Sequence, residues 1–211
     1  IEAFNKAIEK AKDVKPYYTF NETVSNNVDD AKAKSNNPLI SSSRLRQIEE
    51  SQKKENSFDK KYVSIIKQKS DKSAQEMLNV FDCTDISKYA DVDCVKNDSG
   101  HYLITVKFKD EKNPAENSQI VKVLGRDDYN TAKKTVEERN EVGGAKSNIE
   151  IFDFIYTDCF IKCEIDPLTS EFIDMEWSST CVSHSKVTTV GLTIEMNETG
   201  KRGAHYSRFG Y

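Results

Sequence analysis

The sequence predicts an α+β fold: an N-terminal helix packed on a curved, mainly antiparallel β-sheet of about six to eight strands, half-barrel-like, with short peripheral helices. Three observations point there. Residues 149–184 contain two long extended runs, IEIFDFIYTDCFIKCEI and EFIDMEWSSTCVSHS, separated by Asp166-Pro167-Leu168-Thr169-Ser170, the pattern of a hairpin. Residues 2–14 repeat apolar side chains at helical spacing. The whole chain of 211 residues is 36% hydrophobic and 31% charged, which suits a single domain with one modest core over residues 1–211.

The elements follow in order. In residues 2–14, Phe4, Ile8 and Ala11 fall on one face with Ala7 and Val14 beside them, while Glu2, Lys6, Glu9, Lys10 and Lys12 fall on the other. Pro16 ends this helix, and residues 17–24 read as a strand with Tyr18, Phe20 and Val24 on one face. Residues 25–60 turn polar and are expected to be a loop-rich excursion, with a short helix starting at Ser41-Ser42-Ser43 before Leu45 and Ile48. Residues 61–69 read as a strand. Ser73-x-x-Glu76 is a capping box that starts a helix over 72–81. Residues 92–108 read as a hairpin turning at Asn97-Asp98-Ser99-Gly100. Residues 120–124 are a short apolar patch. Residues 127–140 form a polar helix whose Tyr129, Ala132 and Val136 are spaced to touch the sheet, and Gly143-Gly144 breaks the chain after it.

The long hairpin follows. On its first strand Ile149, Ile151, Ile155, Cys159, Ile161, Cys163 and Ile165 share one face by strict alternation, and Phe152, Phe154, Tyr156 and Phe160 share the other. A three-residue loop opposes Cys159 to Trp177; a four-residue loop opposes Phe160 to Trp177. Both faces of 151–160 are apolar, so cover on both sides is expected. Two further strands, 187–196 and 204–211, are expected to join near Asn197-Glu198-Thr199-Gly200.

Bulk properties narrow the function. The net charge is −4 with no basic cluster, which argues against nucleic acid as a partner. No apolar run approaches the ~20 residues of a membrane span. The chain starts at Ile1, and a cleaved export signal or an upstream lipid anchor is one explanation, a trimmed chain another. Among Cys83, Cys94, Cys159, Cys163 and Cys181, a Cys159–Cys163 disulfide is excluded. Four residues of strand place their Cα atoms ~13 Å apart, and a disulfide needs less than ~7 Å. Cys83 with Cys94 is the best local pair. No zinc spacing exists, the acidic pairs Asp127-Asp128 and Asp91-x-Asp93 lack the rest of a calcium loop, and no metal or cofactor is expected.

No catalytic constellation is legible. Cys181 and His184, three apart in a strand, point to opposite faces. The alternative, a hydrolase-like enzyme, would have to assemble its site from scattered residues such as Asp153, Asp158 and His184. The aromatic set Phe152, Phe154, Tyr156, Phe160, Phe172 and Trp177 is the strongest feature: ordinarily core packing, it also suits the lining of a site for an apolar ligand or partner segment.

Three stretches, AFNKAIEKAKDVKPYYT at 3–19, VKFKDEKNP at 106–114 and YTDCFIKCEIDPLTSEF at 156–172, resemble uncharacterised exported proteins and lipoproteins of low-GC Gram-positive bacteria. In the third, Ser170 stands where that group's Asp-x-x-Thr-Gly turn has glycine. The resemblance covers about a fifth of the chain. It implies export, an extracytoplasmic location and a helix-plus-antiparallel-sheet domain, and it supplies no catalytic residues. The shape is also similar to lipoprotein-carrier-like half-barrels, an analogy of fold alone. The functional expectation is therefore a non-enzymatic extracytoplasmic binding or structural module.

Overall fold

The computed structural model describes residues 1–66, 78–81, 89–139, 148–189 and 191–211. In chain order they form α1 (Glu2–Val14), β1 (Tyr17–Ser35), α2 (Ser42–Asn56), β2 (Phe58–Ile66), β3 (Tyr89–Lys96), β4 (Tyr102–Phe108), β5 (Glu111–Lys112), α3 (Gln119–Leu124), α4 (Tyr129–Arg139), β6 (Asn148–Asp166), β7 (Glu171–Thr189) and β8 (Leu192–Gly210). The strands make one open antiparallel sheet in the order β2-β1-β8-β7-β6-β4-β3, with β5 also paired to β6. The α+β class, the antiparallel sheet and the N-terminal helix are as the sequence predicts. The expected helix over 72–81 and Gly143-Gly144 lie mostly or wholly outside the described residues.

Helix α1 forms because its apolar stripe has somewhere to go. Phe4, Ala7, Ile8 and Ala11 are completely buried, packed on β6 and β7. Phe4 meets Phe81 edge-on at 5.2 Å and Phe172 at 5.8 Å. Asn5 clamps Phe81 from both sides, its Oδ1 accepting the Phe81 N–H at 2.9 Å and its Nδ2 donating to the Phe81 carbonyl at 3.1 Å. Lys10 ties the helix to the hairpin turn by donating to the Thr169 carbonyl at 2.6 Å and to Glu171 at 2.8 Å. Lys15, at φ 55, ends the helix in the left-handed conformation, its N–H returning to the Ala11 carbonyl.

The segment 25–60 is not the loop-rich excursion its composition predicts. Strand β1 runs on to Ser35, α2 fills 42–56 with Ser41 as its N-cap, and β2 follows at once. The apolar content is thin because this end of the sheet needs little: Val28, Ala31 and Met196 make a small second core, with Ile194 against it. Past the end of β2, side chains replace the missing strand. Ser57 Oγ accepts the Val28 N–H at 3.1 Å, and Glu49 accepts the Ala33 N–H at 2.8 Å.

The long hairpin has three register shifts, and two β-bulges among them, one beside the loop and one at Asp158, set which residues face which way. The loop has four residues, 167–170, but Glu164 pairs Asp174 while Ile165 pairs Phe172, so Ile173 is an extra residue on β7. Trp177 therefore faces Ile161, one residue beyond the register of a four-residue loop and two beyond that of a three-residue loop. A second bulge on β6 falls between Thr157 and Phe160, with Asp158 at φ 51. It reverses the alternation of the strand. Phe154 and Tyr156 before it and Cys159, Ile161, Cys163 and Ile165 after it are all buried toward the helices. The sequence's two apolar faces are thus largely one face, and the expected cover on both sides of 151–160 is not needed.

Strand β8 is also unbroken through Asn197-Glu198-Thr199-Gly200, where a connection between two strands is expected from sequence. It lies between β1 and β7 and is hydrogen-bonded along both edges. The polar side chains find partners on β1: Thr199 Oγ1 donates to Asp29 at 2.6 Å and Asn26 Nδ2 to Glu198 at 3.0 Å. Pairing on two sides outweighs the local turn preference.

Candidate functional site

Between the core under α1 and the small core under α2, the helix-bearing face of the sheet holds a cavity of about 360 Å³. Its apolar wall is built by β6 and α4: Phe152, Phe154 and Tyr156 from the strand, Ala132 and Val136 from the helix. Cys181 and Ser183 of β7 continue the floor, and Val24, Asn26, Glu198 and Arg202 of β1 and β8 make the far side. The end of α2 contributes Glu55 and Asn56.

The aromatic wall is held rigidly. Phe152 and Phe154 lie 5.7 Å apart, Phe154 and Tyr156 5.3 Å. Tyr129 stacks across the first two at 5.9 and 6.5 Å. Its hydroxyl donates to the Phe152 carbonyl at 3.2 Å. Asn113, at φ 47, bonds Phe154 through both its N–H (2.8 Å) and its Oδ1 (2.9 Å). The Tyr156 hydroxyl donates to the Asp127 carbonyl at 3.3 Å, and burial pushes its pKa up.

A cation stands beside this wall. Gly125, at φ 59, ends α3, and the next residue, Arg126, lays its guanidinium 4.8 Å over the ring of Trp177. Its Nε donates to the Leu124 carbonyl at 3.1 Å. Burial, then the charge of Arg202, lowers its pKa from the usual arginine range. Arg202 itself is engaged by Glu22.

Of the six aromatic residues singled out by sequence, Phe152, Phe154 and Tyr156 therefore line the cavity. Trp177 is buried beneath Arg126, its Nε1 without a hydrogen-bond partner among the described residues. Phe172 belongs to the α1 core, between Phe4 and Phe209. Phe160 is carried to the opposite face by the Asp158 bulge, where the Lys162 ammonium covers it at 4.8 Å. Tyr129 was legible as a sheet contact; Arg126 carries no sequence signal, because its neighbourhood is created by the turn at Gly125 and a residue 51 positions away, Trp177.

The groups of the enzymatic alternative are not in this cavity. Asp153 and His184 pair across β6 and β7, but Asp153 is 3.6 Å from Lys112 and His184 Nε2 is 3.0 Å from Glu195. Asp158 is exposed on its bulge. Of the thiols, Cys94 is exposed and free, and Cys83 lies outside the described residues. Cys159, Cys163 and Cys181 are pushed up to about 12, chiefly by burial. Among the described residues no group of three His, Cys, Asp or Glu is placed to hold a metal, and no helix is long and apolar enough to cross a membrane. Comparison of the chain with protein families, with curated proteins and with solved structures finds no match.

Proposed function

We propose that the protein is a non-enzymatic binding module that holds a small apolar ligand in the cavity between α4 and the sheet. The carrying observation is the ladder Phe152–Phe154–Tyr156, stacked by Tyr129 and fixed by Asn113, bordering about 360 Å³ of space rather than a filled core. That volume is at the small end of the range for small-molecule sites, about 300–1,000 Å³. The bulges at Asp158 and Ile173 bend their strands, and the reading takes the sheet to wrap the site as a half-barrel. The resemblance of 3–19, 106–114 and 156–172 to exported Gram-positive proteins supports an extracytoplasmic place for it, with a lipid anchor upstream as the natural tether.

Titration with Nile red, a neutral apolar dye, tests the binding role. A saturable one-to-one complex is expected, weakened by Val136→Phe, which fills the cavity from α4. No saturable binding, or binding indifferent to Val136→Phe, would remove the reading. The location is tested by the gene upstream of Ile1, where an export signal or lipobox cysteine is expected.

A further inference from the structure

We infer that the cavity's ligand is an amphipathic monocarboxylate, its anionic head on Arg126 and its apolar body along Phe152, Phe154 and Tyr156. The inference rests on the binding reading above and adds the head group. Six charged side chains among the described residues line the cavity: Arg126, Lys201 and Arg202, against Glu55, Asp127 and Glu198. Most already have work. Glu22 neutralises Arg202, Asn26 donates to Glu198, and Ser51 donates to Glu55 at 2.6 Å. Asp127 and Lys201 are exposed.

Arg126 differs. Among the described residues its guanidinium touches one backbone carbonyl, through Nε, and the face of Trp177. No carboxylate of the described residues is within ion-pairing distance, so the two terminal nitrogens are left to the cavity. A partly buried guanidinium without an anion is an expensive arrangement, and a planar carboxylate matching its fork of donors is the partner of best geometry. Among the described lining residues Arg126 is the half-buried cation without an ion pair, Lys201 being exposed, and its setting among three carboxylates favours one negative charge over the two of a phosphate monoester. The volume limits the body to a medium chain or a small ring system.

The test compares decanoate, decanol and decyltrimethylammonium as ligands of the full chain, by calorimetry and by the emission of Trp177, the only tryptophan. At low salt decanoate is expected to bind at least about tenfold more tightly than decanol, the scale of one charge-assisted hydrogen-bonded contact. Arg126→Gln should abolish the preference, so that this variant binds decanoate no more tightly than decanol; Arg126→Lys should keep part of it. Equal binding of decanoate and decanol by the native chain, or tighter binding of the ammonium, overturns the head-group assignment while the apolar cavity stands. Failure of all three to bind overturns the cavity reading and this inference together. The head-group comparison needs no variant, so a folding defect in Arg126→Gln does not spare the proposal.

Discussion

Ser170 shows how much one residue of sequence can say. It occupies the last position of the hairpin loop at φ 56, the conformation glycine adopts without penalty, and its N–H returns to the Asp166 carbonyl at 2.8 Å. Asp166 Oδ1 also accepts the Leu168 N–H at 2.8 Å, so the loop is organised from the strand residue that precedes it. Ser170→Gly should relieve left-handed strain of about 1–2 kcal/mol. It should return part of that as unfolded-chain entropy, for a net gain of about 0.5–1 kcal/mol. The expected result is a rise of a few degrees in Tm with the urea m-value unchanged; a fall in Tm would mean the serine hydroxyl makes a bond that outweighs its backbone. The turn was legible because turn chemistry is local. The register beyond it was not, since the extra residues at Ile173 and Asp158 exist only through pairing with the opposite strand. Phe160 looked like a member of the aromatic wall for the same reason: alternation counted through a bulge assigns the wrong face.

At the scale of elements, the helix and the hairpins were legible and the length of the strands was not. Strand β8 continues through a Gly-containing polar stretch because β1 and β7 hold it on both sides, and no residue of β8 alone reports that. Its glycines have a different use, close approach. A Cβ at Gly203 would stand 2.8 Å from the backbone oxygen of Trp177, which cannot move without moving β7. A Cβ at Gly200 would meet the Asn26 side-chain oxygen at 3.3 Å, and that side chain can rotate away. Gly203→Ala should therefore destabilise by about 1–3 kcal/mol, as overpacking does, and Gly200→Ala by less. Urea midpoints of the two variants check the order; equal effects would place the constraint in the backbone rather than in the contact. Because Trp177 supports Arg126, Gly203→Ala should also shift the tryptophan emission.

At the scale of the molecule, the core and the cavity wall share one electrostatic character: they keep their thiols and buried tyrosines neutral. Cys159, Cys163 and Cys181 are held up to about 12, and Tyr211 likewise, all chiefly by burial. Cys181 lines the cavity, and as a protonated thiol at neutral pH it is a poor nucleophile, which agrees with a binding role. The sequence placed Cys159 and Cys163 on an apolar strand face but did not show this consequence, since desolvation depends on how the helices pack on the sheet. That consequence is alkaline instability. In the unfolded chain a thiol titrates near 8.5 and a tyrosine near 10. The folded values are higher, so these groups contribute stability that is complete below the unfolded pKa and is lost as pH rises toward about 12. Through that interval the unfolded state releases protons that the native state retains, and each pH unit favours unfolding by up to about 1.4 kcal/mol per group. The urea midpoint should hold steady from pH 7 to 8, fall between 9 and 10, and fall more steeply above 10 as the tyrosines join. Cys181→Ala should flatten the first part of that decline by roughly a third, because it removes one of three thiols whose values are raised alike. A midpoint independent of pH from 8 to 10 would mean that water reaches these sulfurs in the native state, and then the cavity is wetter than an apolar ligand requires.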